Sequence, residues 1–255
     1  MLYGLYLSAT GVMTNSYRQD VIANNIANAE TVGFKKDLAL FQERRTELQD
    51  RGLAPSRSNA LLEALGGGVY ASPTLVDHTQ GELEPTGSGM DVAIVGQGFY
   101  KVAQGDKVNL TRDGSFVVNH RGRLALASNE NYEVLDVKGK PITVDPNRPL
   151  SFAKDGTVNQ NSRPVGRVGV FDVPDPAQLT KLGGTMLTYP DMTAVRPAGP
   201  DTVLRSEYRE RANIEPSSEL ANLMDAQRQL EANANMIRYQ DQMLSKLVND
   251  VGKIS

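Results

Sequence analysis

Cysteine is absent from the chain, which removes disulfides, thiol nucleophiles and thiolate metal ligands together and fits any redox compartment. Histidine is scarce: only His78 and His120 are present. They lie far apart in sequence and neither stands in an HExxH arrangement, so a metal centre or a catalytic triad has little to be built from. No segment approaches the roughly 20 apolar residues that a membrane helix needs. The N-terminal apolar run lacks a basic leader and is interrupted by Gly4, Ser8, Thr10 and Gly11, unlike an ordinary secretory signal. A strong excess of one charge is missing too. With 27 basic and 30 acidic residues the formal charge is −3, so no general attraction to nucleic acid or to an anionic membrane is expected. What is present is a chain of 255 residues, 40% apolar, expected to be soluble and able to bury a core.

The two ends of the chain resemble each other more than either resembles the middle. Near the N-terminus, Leu2, Ala9, Ser16 and Ala23 recur at a seven-residue interval, and Leu5, Val12, Gln19 and Ile26 form a second series offset by three. The C-terminal zone repeats the pattern more clearly, with Leu223, Leu230, Ile237, Leu244 and Val251 accompanied by Leu220, Gln227, Ala234, Asp241 and Val248. Such spacing predicts helices with an a/d seam. Pro216 suits a first helical turn, Ser217 and Ser218 can cap it, Glu219 suits the positive end of the dipole, and Gly252 offers a stop. Taken alone, stripes of this kind most often pack within one chain.

Between about Val69 and Arg205 the helical period gives way to short β-prone runs. "MDVAIV", "GFYKVA", "GSFVVN", "GRLALA" and "PITVD" are separated by turn residues such as Asp113-Gly114 and Lys138-Gly139. The expected fold class is therefore α+β, with long N- and C-terminal helices packing as a coiled-coil-like stalk and a central all-β domain. Its expected division is 1–45 for the first helix and following turn, 46–68 for a variable connector, 69–211 for the β domain and 212–255 for the last helix.

No chemistry emerges from the motifs. Gly96-Gln97-Gly98 is followed by another β-prone run rather than by a phosphate-facing helix, so it reads as a hairpin turn. Asp155-Gly156-Thr157 lacks the closing glutamate of a calcium loop. Glu82 with Glu84, and Asp172 with Asp175, sit beside proline or turns without a nucleophile, and Ser162 and Ser206 stand in no GxSxG elbow. No enzyme activity and no cofactor is expected.

The stretch "SATGVMTNSYRQDVIANNIANAETVGFKKDLALFQE" resembles the N-terminal signature of bacterial flagellar rod and hook axial proteins. It carries Ala9-Thr10-Gly11, the Asp20-to-Asn28 core, and Thr31-to-Lys35 as Thr-x-Gly-Phe-Lys. "QGELEPTGSGMDVAIVGQGFYKV", "TRDGSF" and "ANIEPSSELANLMDAQRQLEANANMIRYQDQML" extend the likeness along the chain, with Tyr100 where a second phenylalanine is usual and Leu230 in place of a tyrosine. The length and single β domain are similar to proximal or distal rod proteins rather than to the hook protein.

The resemblance implies a structural subunit of the flagellar basal body that polymerises helically into the periplasm-crossing rod and transmits torque. Its export would run unfolded through the flagellar apparatus without a cleaved signal. Its partners would be further copies, other rod and hook axial proteins and that apparatus, with no nucleic acid and no membrane insertion. Terminal helices would form the inner layers, and the monomer's helices would be disordered before assembly. Expected subunit-interface residues are Leu5, Val12, Asn24, Asn25, Ile26, Asn28, Gly33, Phe34, Leu223, Leu230, Ile237, Leu244 and Val251. Within that set Asn24 and Asn25 are expected as polar contacts between packed helices, Asn28 as a local cap, and Gly33 with Phe34 as hinge and anchor. A rival reading is a stalk-and-head module holding a peptide or sugar on its β domain; a hydrolase using the acidic loops ranks below it.

Overall fold

Alternation along a single strand explains how the β-rich body is layered. In the strand Phe99–Gln104, Tyr100 and Val102 point into one apolar cluster with Val92, Phe116, Leu124 and Val134. Phe99 points the other way, into a second cluster with Leu110, Phe171, Leu187 and Tyr189. Successive side chains leave a strand on opposite faces, so this strand is covered on both. The strand Met186–Thr188, separated from it in the sheet by Lys107–Thr111, repeats the device, with Met186 in the first cluster and Leu187 in the second. Tyr100 is fully buried, and its hydroxyl donates to the Val92 carbonyl at 2.7 Å. Burial pushes that phenol well above its ordinary pKa, with the nearby Arg112 guanidinium opposing and Glu210 reinforcing the rise.

The computed structural model describes residues 2–43, 68–161, 163–199 and 202–251. The connector expected at 46–68 lies outside the described residues apart from Gly68, and so does Ser162. Two compact units divide the chain: the described residues of 1–26, 37–75 and 216–255 form one, and those of 27–36 and 76–215 form the other. The second unit is the body. Its largest sheet has nine strands, and two shorter ladders close it in sequence: Leu83–Pro85 pairs antiparallel with Tyr208–Glu210, and Val92–Val95 with Val203–Ser206. Strands near the start of the body thus find their partners at its end. "PITVD" forms isolated bridges, Leu135 with Pro141 and Arg123 with Thr143, rather than a strand. Pro141 has no N–H to extend a ladder.

The first unit holds the helices Leu2–Ala27 (α1, 26 residues) and Pro216–Val251 (α2, 36 residues). It also holds a two-stranded ribbon of Asp37–Glu43 with Val69–Val76. Small polar residues in α1 are satisfied along the helix itself, where the Thr10 and Thr14 hydroxyls and the Asn15 amide donate to carbonyls of the preceding turn. Tyr17 meets Phe41 of the ribbon edge-on, with ring centroids 6.3 Å apart.

The coiled-coil-like stalk is not what the helices form, and this corrects the expected fold class. The structure has two helices and a large β-rich body, and among the described residues no apolar a/d seam joins the helices. Leu223, Leu230, Ile237 and Leu244 are half-buried, but Leu220, Gln227, Asp241 and Val248 are exposed, Val248 to 71%. The row that is buried instead is Glu219 and Ala226, continued at the same interval by Asn233 and Gln240. The reason is close approach at glycine. A Cβ added to Gly4 would lie 2.8 Å from Nε2 of Gln240, and one added to Gly11 would lie 2.7 Å from Nδ2 of Asn233. Glycine opposite amide tips brings the helices together in antiparallel order, where apolar knobs would hold them apart. The Leu223 row then lies beside the contact, and the Leu220 row, apart from half-buried Ala234, faces solvent.

Candidate assembly interface and a buried clasp

The residues expected at a subunit interface fall into two groups. Leu5, Val12, Ile26, Leu223, Leu230, Ile237 and Leu244 lie half-buried on the two helices, Asn24 is exposed on α1, and the side chain of Val251 lies outside the described residues. Beside them the helices expose further apolar groups, including Tyr6 and Met13 on α1 and Met224, Met236, Tyr239 and Met243 on α2. Asn25 serves the chain internally. Its amide donates to the Asp37 carbonyl at 2.8 Å, and its oxygen accepts from the Asp37 N–H at 2.9 Å. This back-to-back pair ties the end of α1 to the first strand of the ribbon.

Asn28, Gly33 and Phe34 belong to the turn that enters the body. Asn28 accepts from the Thr31 N–H at 3.0 Å through its carbonyl and from the Thr31 hydroxyl at 3.3 Å through its side chain. Gly33 has φ +68°, and a Cβ there would lie 2.4 Å from the carbonyl carbon of Arg112 and the nitrogen of Asp113. No side chain fits that space, and L-residues avoid that φ. Phe34 is 2% exposed, with the Lys181 ammonium 3.7 Å above its ring.

Next to this anchor lies a cluster of buried charge. Lys35 Nζ donates to Oε1 of Glu210 at 2.5 Å and to the Thr79 carbonyl at 2.7 Å. The other oxygen of Glu210 takes Nη1 of Arg112 at 3.2 Å, and Arg112 Nη2 donates to the Gly96 carbonyl at 2.8 Å. Glu210 also receives the Gly81 N–H on Oε1 and the Gly33 N–H on its backbone carbonyl. Alongside, Asn213 accepts from the Lys36 N–H and donates to the Asp77 carbonyl and the Thr79 hydroxyl. One carboxylate therefore clasps the turn at 31–36, the loop at 79–81, the hairpin at 112 and the last strand of the body. Burial strips water from the Lys35 ammonium and lowers its pKa, a shift that the adjacent Glu210 carboxylate opposes.

Lys35, Arg112, Glu210 and Asn213 were not anticipated as a group. The available signal was that Lys35 and Arg112 each stand inside a short motif, Thr-x-Gly-Phe-Lys and Thr-Arg-Asp-Gly, that carries a glycine two positions from the cation. Nothing in linear spacing shows that both face one glutamate, 175 residues on from Lys35 and 98 on from Arg112.

Of the acidic residues considered for catalysis or for a calcium loop, three are held by neighbouring groups. Glu84 takes both Nε and Nη2 of Arg209, Asp175 caps a 3₁₀ turn through the Ala177 N–H, and Asp155 accepts both the N–H and the hydroxyl of Thr157. A groove of about 500 Å³ in the body carries Lys154, Asp155 and Arg167 among apolar side chains, without a nucleophile beside a base. Among the described residues no cluster of three or more histidine, aspartate or glutamate side chains is placed to hold a metal. His120 is exposed. His78 donates from Nε2 to the Pro176 carbonyl at 3.1 Å, while its Nδ1 is buried without a hydrogen-bond partner. Burial lowers its pKa, opposed by the Pro176 hydrogen bond.

Three family models match the chain. One described as flagella basal body rod protein covers residues 5–35, one described as flagellar hook protein FlgE/F/G D1 domain covers 93–160, and one described as flagellar basal body rod FlgEFG protein C-terminal covers 205–250. Lys35, Arg112 and Glu210 fall one in each. The flagellar basal-body rod protein FlgF of Caulobacter vibrioides is 33% identical over 253 residues, 98% of each chain. The flagellar basal-body rod protein FlgG of Buchnera aphidicola subsp. Baizongia pistaciae is 30% identical over 97% of this chain and 99% of its own. The protein of the same name from Bacillus subtilis is 27% identical, with 98% and 99% covered.

Replacing Glu210 by alanine leaves two buried cations facing each other, and the expected loss in body stability is about 3–5 kcal/mol. It is read as a drop in the urea midpoint of the full chain; an unchanged midpoint contradicts the clasp. A second outcome concerns pH. Below the ordinary histidine value of 6.5 the unfolded chain takes up a proton that folded His78 resists, so His78 makes stability fall as pH drops through 6.5 and level off below its lowered folded pKa. Against a His78→Gln variant, the wild type is therefore expected to lose relative stability between pH 7 and the folded value. Parallel curves for the two proteins over this range contradict the assignment.

Proposed function

We infer the finer role of this chain from its family: it belongs to the flagellar basal-body rod proteins and is a structural subunit of that rod. The proposal is that it polymerises helically through its terminal helices, with copies of itself and with other axial proteins, into the periplasm-spanning shaft that carries torque. It reaches that place through the flagellar export apparatus without a cleaved signal peptide, and it works by packing, not by catalysis.

The observation that carries this reading is the apolar surface left uncovered on both helices. Met13 is 72% exposed and Tyr239 59%, while the rows that meet between the helices are glycine, alanine and amide. Exposed contiguous apolar groups mark association surfaces, and helices of this kind gain stability chiefly from packing. Leu5, Val12, Ile26, Leu223, Leu230, Ile237 and Leu244, half-buried in the single chain, are proposed to complete their burial against neighbouring subunits. Asn25, Gly33 and Phe34 act one step earlier, by fixing the chain where it leaves α1 and enters the body. Matches over nearly the full length of rod proteins favour this reading over a peptide- or sugar-holding module.

Changing Leu230 and Ile237 together to aspartate places two charges in that packing. The expected result is loss of incorporation into rods with the melting transition of the body unchanged. Rods that assemble normally from this variant contradict the proposal.

A further inference from the structure

The chain's eight methionines are distributed unevenly. Met186 is 7% exposed in the core of the body, and Met90 and Met192 are half-buried. Met13, Met224, Met236 and Met243 expose 72%, 48%, 52% and 61% of their surface, and all four lie on α1 or α2. Their positions are patterned. Met236 and Met243 are one heptad apart with exposed Tyr239 between them and Leu247 following, so they share one flank of α2 at about 100° per residue. Met13 shares a flank of α1 with Tyr6, also one heptad away.

Methionine is unbranched and polarizable, so a stripe of it can settle against partner surfaces of different shape. The same exposed thioether reacts with peroxides. Its sulfur attacks one peroxide oxygen, the O–O bond breaks, an S–O bond forms and water leaves, the sulfur losing the two electrons that the peroxide gains. The product is a polar, chiral sulfoxide that is poorly suited to an apolar contact and is reversible only by epimer-specific reductases.

We propose that Met13, Met224, Met236 and Met243 are oxidation sites of the unassembled chain, and that their conversion to sulfoxide by peroxide-class oxidants switches off the outer faces of both helices. The switch rests on the assembly role inferred above. It acts before assembly, because packing against neighbours covers the sulfurs. The core of the body is spared, since Met186 is out of reach of the oxidant, and half-buried Met90 and Met192 are less accessible than the four helix methionines.

The test treats the purified full-length chain with graded hydrogen peroxide, maps sulfoxide by peptide mass spectrometry, and measures self-assembly by sedimentation. The four helix methionines are expected to oxidise well before Met186, and assembly is expected to fall in step with sulfoxide at Met236 and Met243. Reduction by the paired methionine sulfoxide reductases should restore it. A variant with all four changed to leucine, a volume-conserving exchange, should assemble before treatment and keep assembling after it. Oxidation of Met186 at the same rate overturns the assignment of sites. Equal loss in the leucine variant, or full assembly of the oxidised wild type, overturns the switch. An untreated wild type that does not self-assemble fails the assembly reading and takes the switch with it, whereas the order of oxidation is read independently of that outcome.

Discussion

A glutamate carboxylate with 1% of its surface exposed, Glu210, sits between an ammonium and a guanidinium that are themselves almost wholly buried. Taking three charges out of water is expensive, and their mutual attraction offsets that cost only if the remaining donors are also satisfied. Most of them are: Lys35 reaches the Thr79 carbonyl, Arg112 Nη2 the Gly96 carbonyl, and Gly81 adds an N–H to the carboxylate, while Arg112 Nε is buried without a hydrogen-bond partner among the described residues. Such a cluster adds little stability compared with well-packed apolar groups, but it tolerates no missing member. The body therefore closes in one way, with the turn at 31–36 held to the strand at 208–210.

The same constraint explains the order of the strands. Leu83–Pro85 and Val92–Val95 pair with Tyr208–Glu210 and Val203–Ser206, more than a hundred residues later. Long loops are costly to close and the cost grows slowly with length, so the late pairing needs a specific contact to define its register. Glu210 supplies one at the end of the last strand. Gly33 supplies the other half of the condition, because only a residue without a Cβ lets the turn approach the Arg112–Asp113 backbone.

Much of this architecture was legible in the chain. The heptad rows marked both helices, and alternation with Asp-Gly and Lys-Gly turns marked the body, because these patterns are local and periodic. The mode of helix contact was not legible. Leu220, Gln227, Asp241 and Val248 occupy the same spacing as a seam, yet the row towards the opposite helix is shifted by one residue to buried Glu219 and Ala226 and half-buried Asn233 and Gln240. That shift depends on Gly4 and Gly11 in the opposite helix, which periodicity within α2 cannot reveal. The clasp escaped for a similar reason, since Lys35, Arg112 and Glu210 are adjacent only after folding. Asn25 shows the middle case: a role in close contact was read from its amide, while its partner turned out to be the backbone of Asp37 in the same chain.

A body closed by its own buried charges and helices that keep apolar flanks open form a division of labour suited to a subunit that must fold alone and then polymerise. The most direct measurement is residue-resolved hydrogen exchange on the unassembled full-length chain. Amides of Val92–Val95 and Val203–Ser206 are predicted to exchange only through global opening of the body, and those of α1 and α2 to exchange far faster. Helices protected as strongly as these strands in the isolated chain would contradict the account.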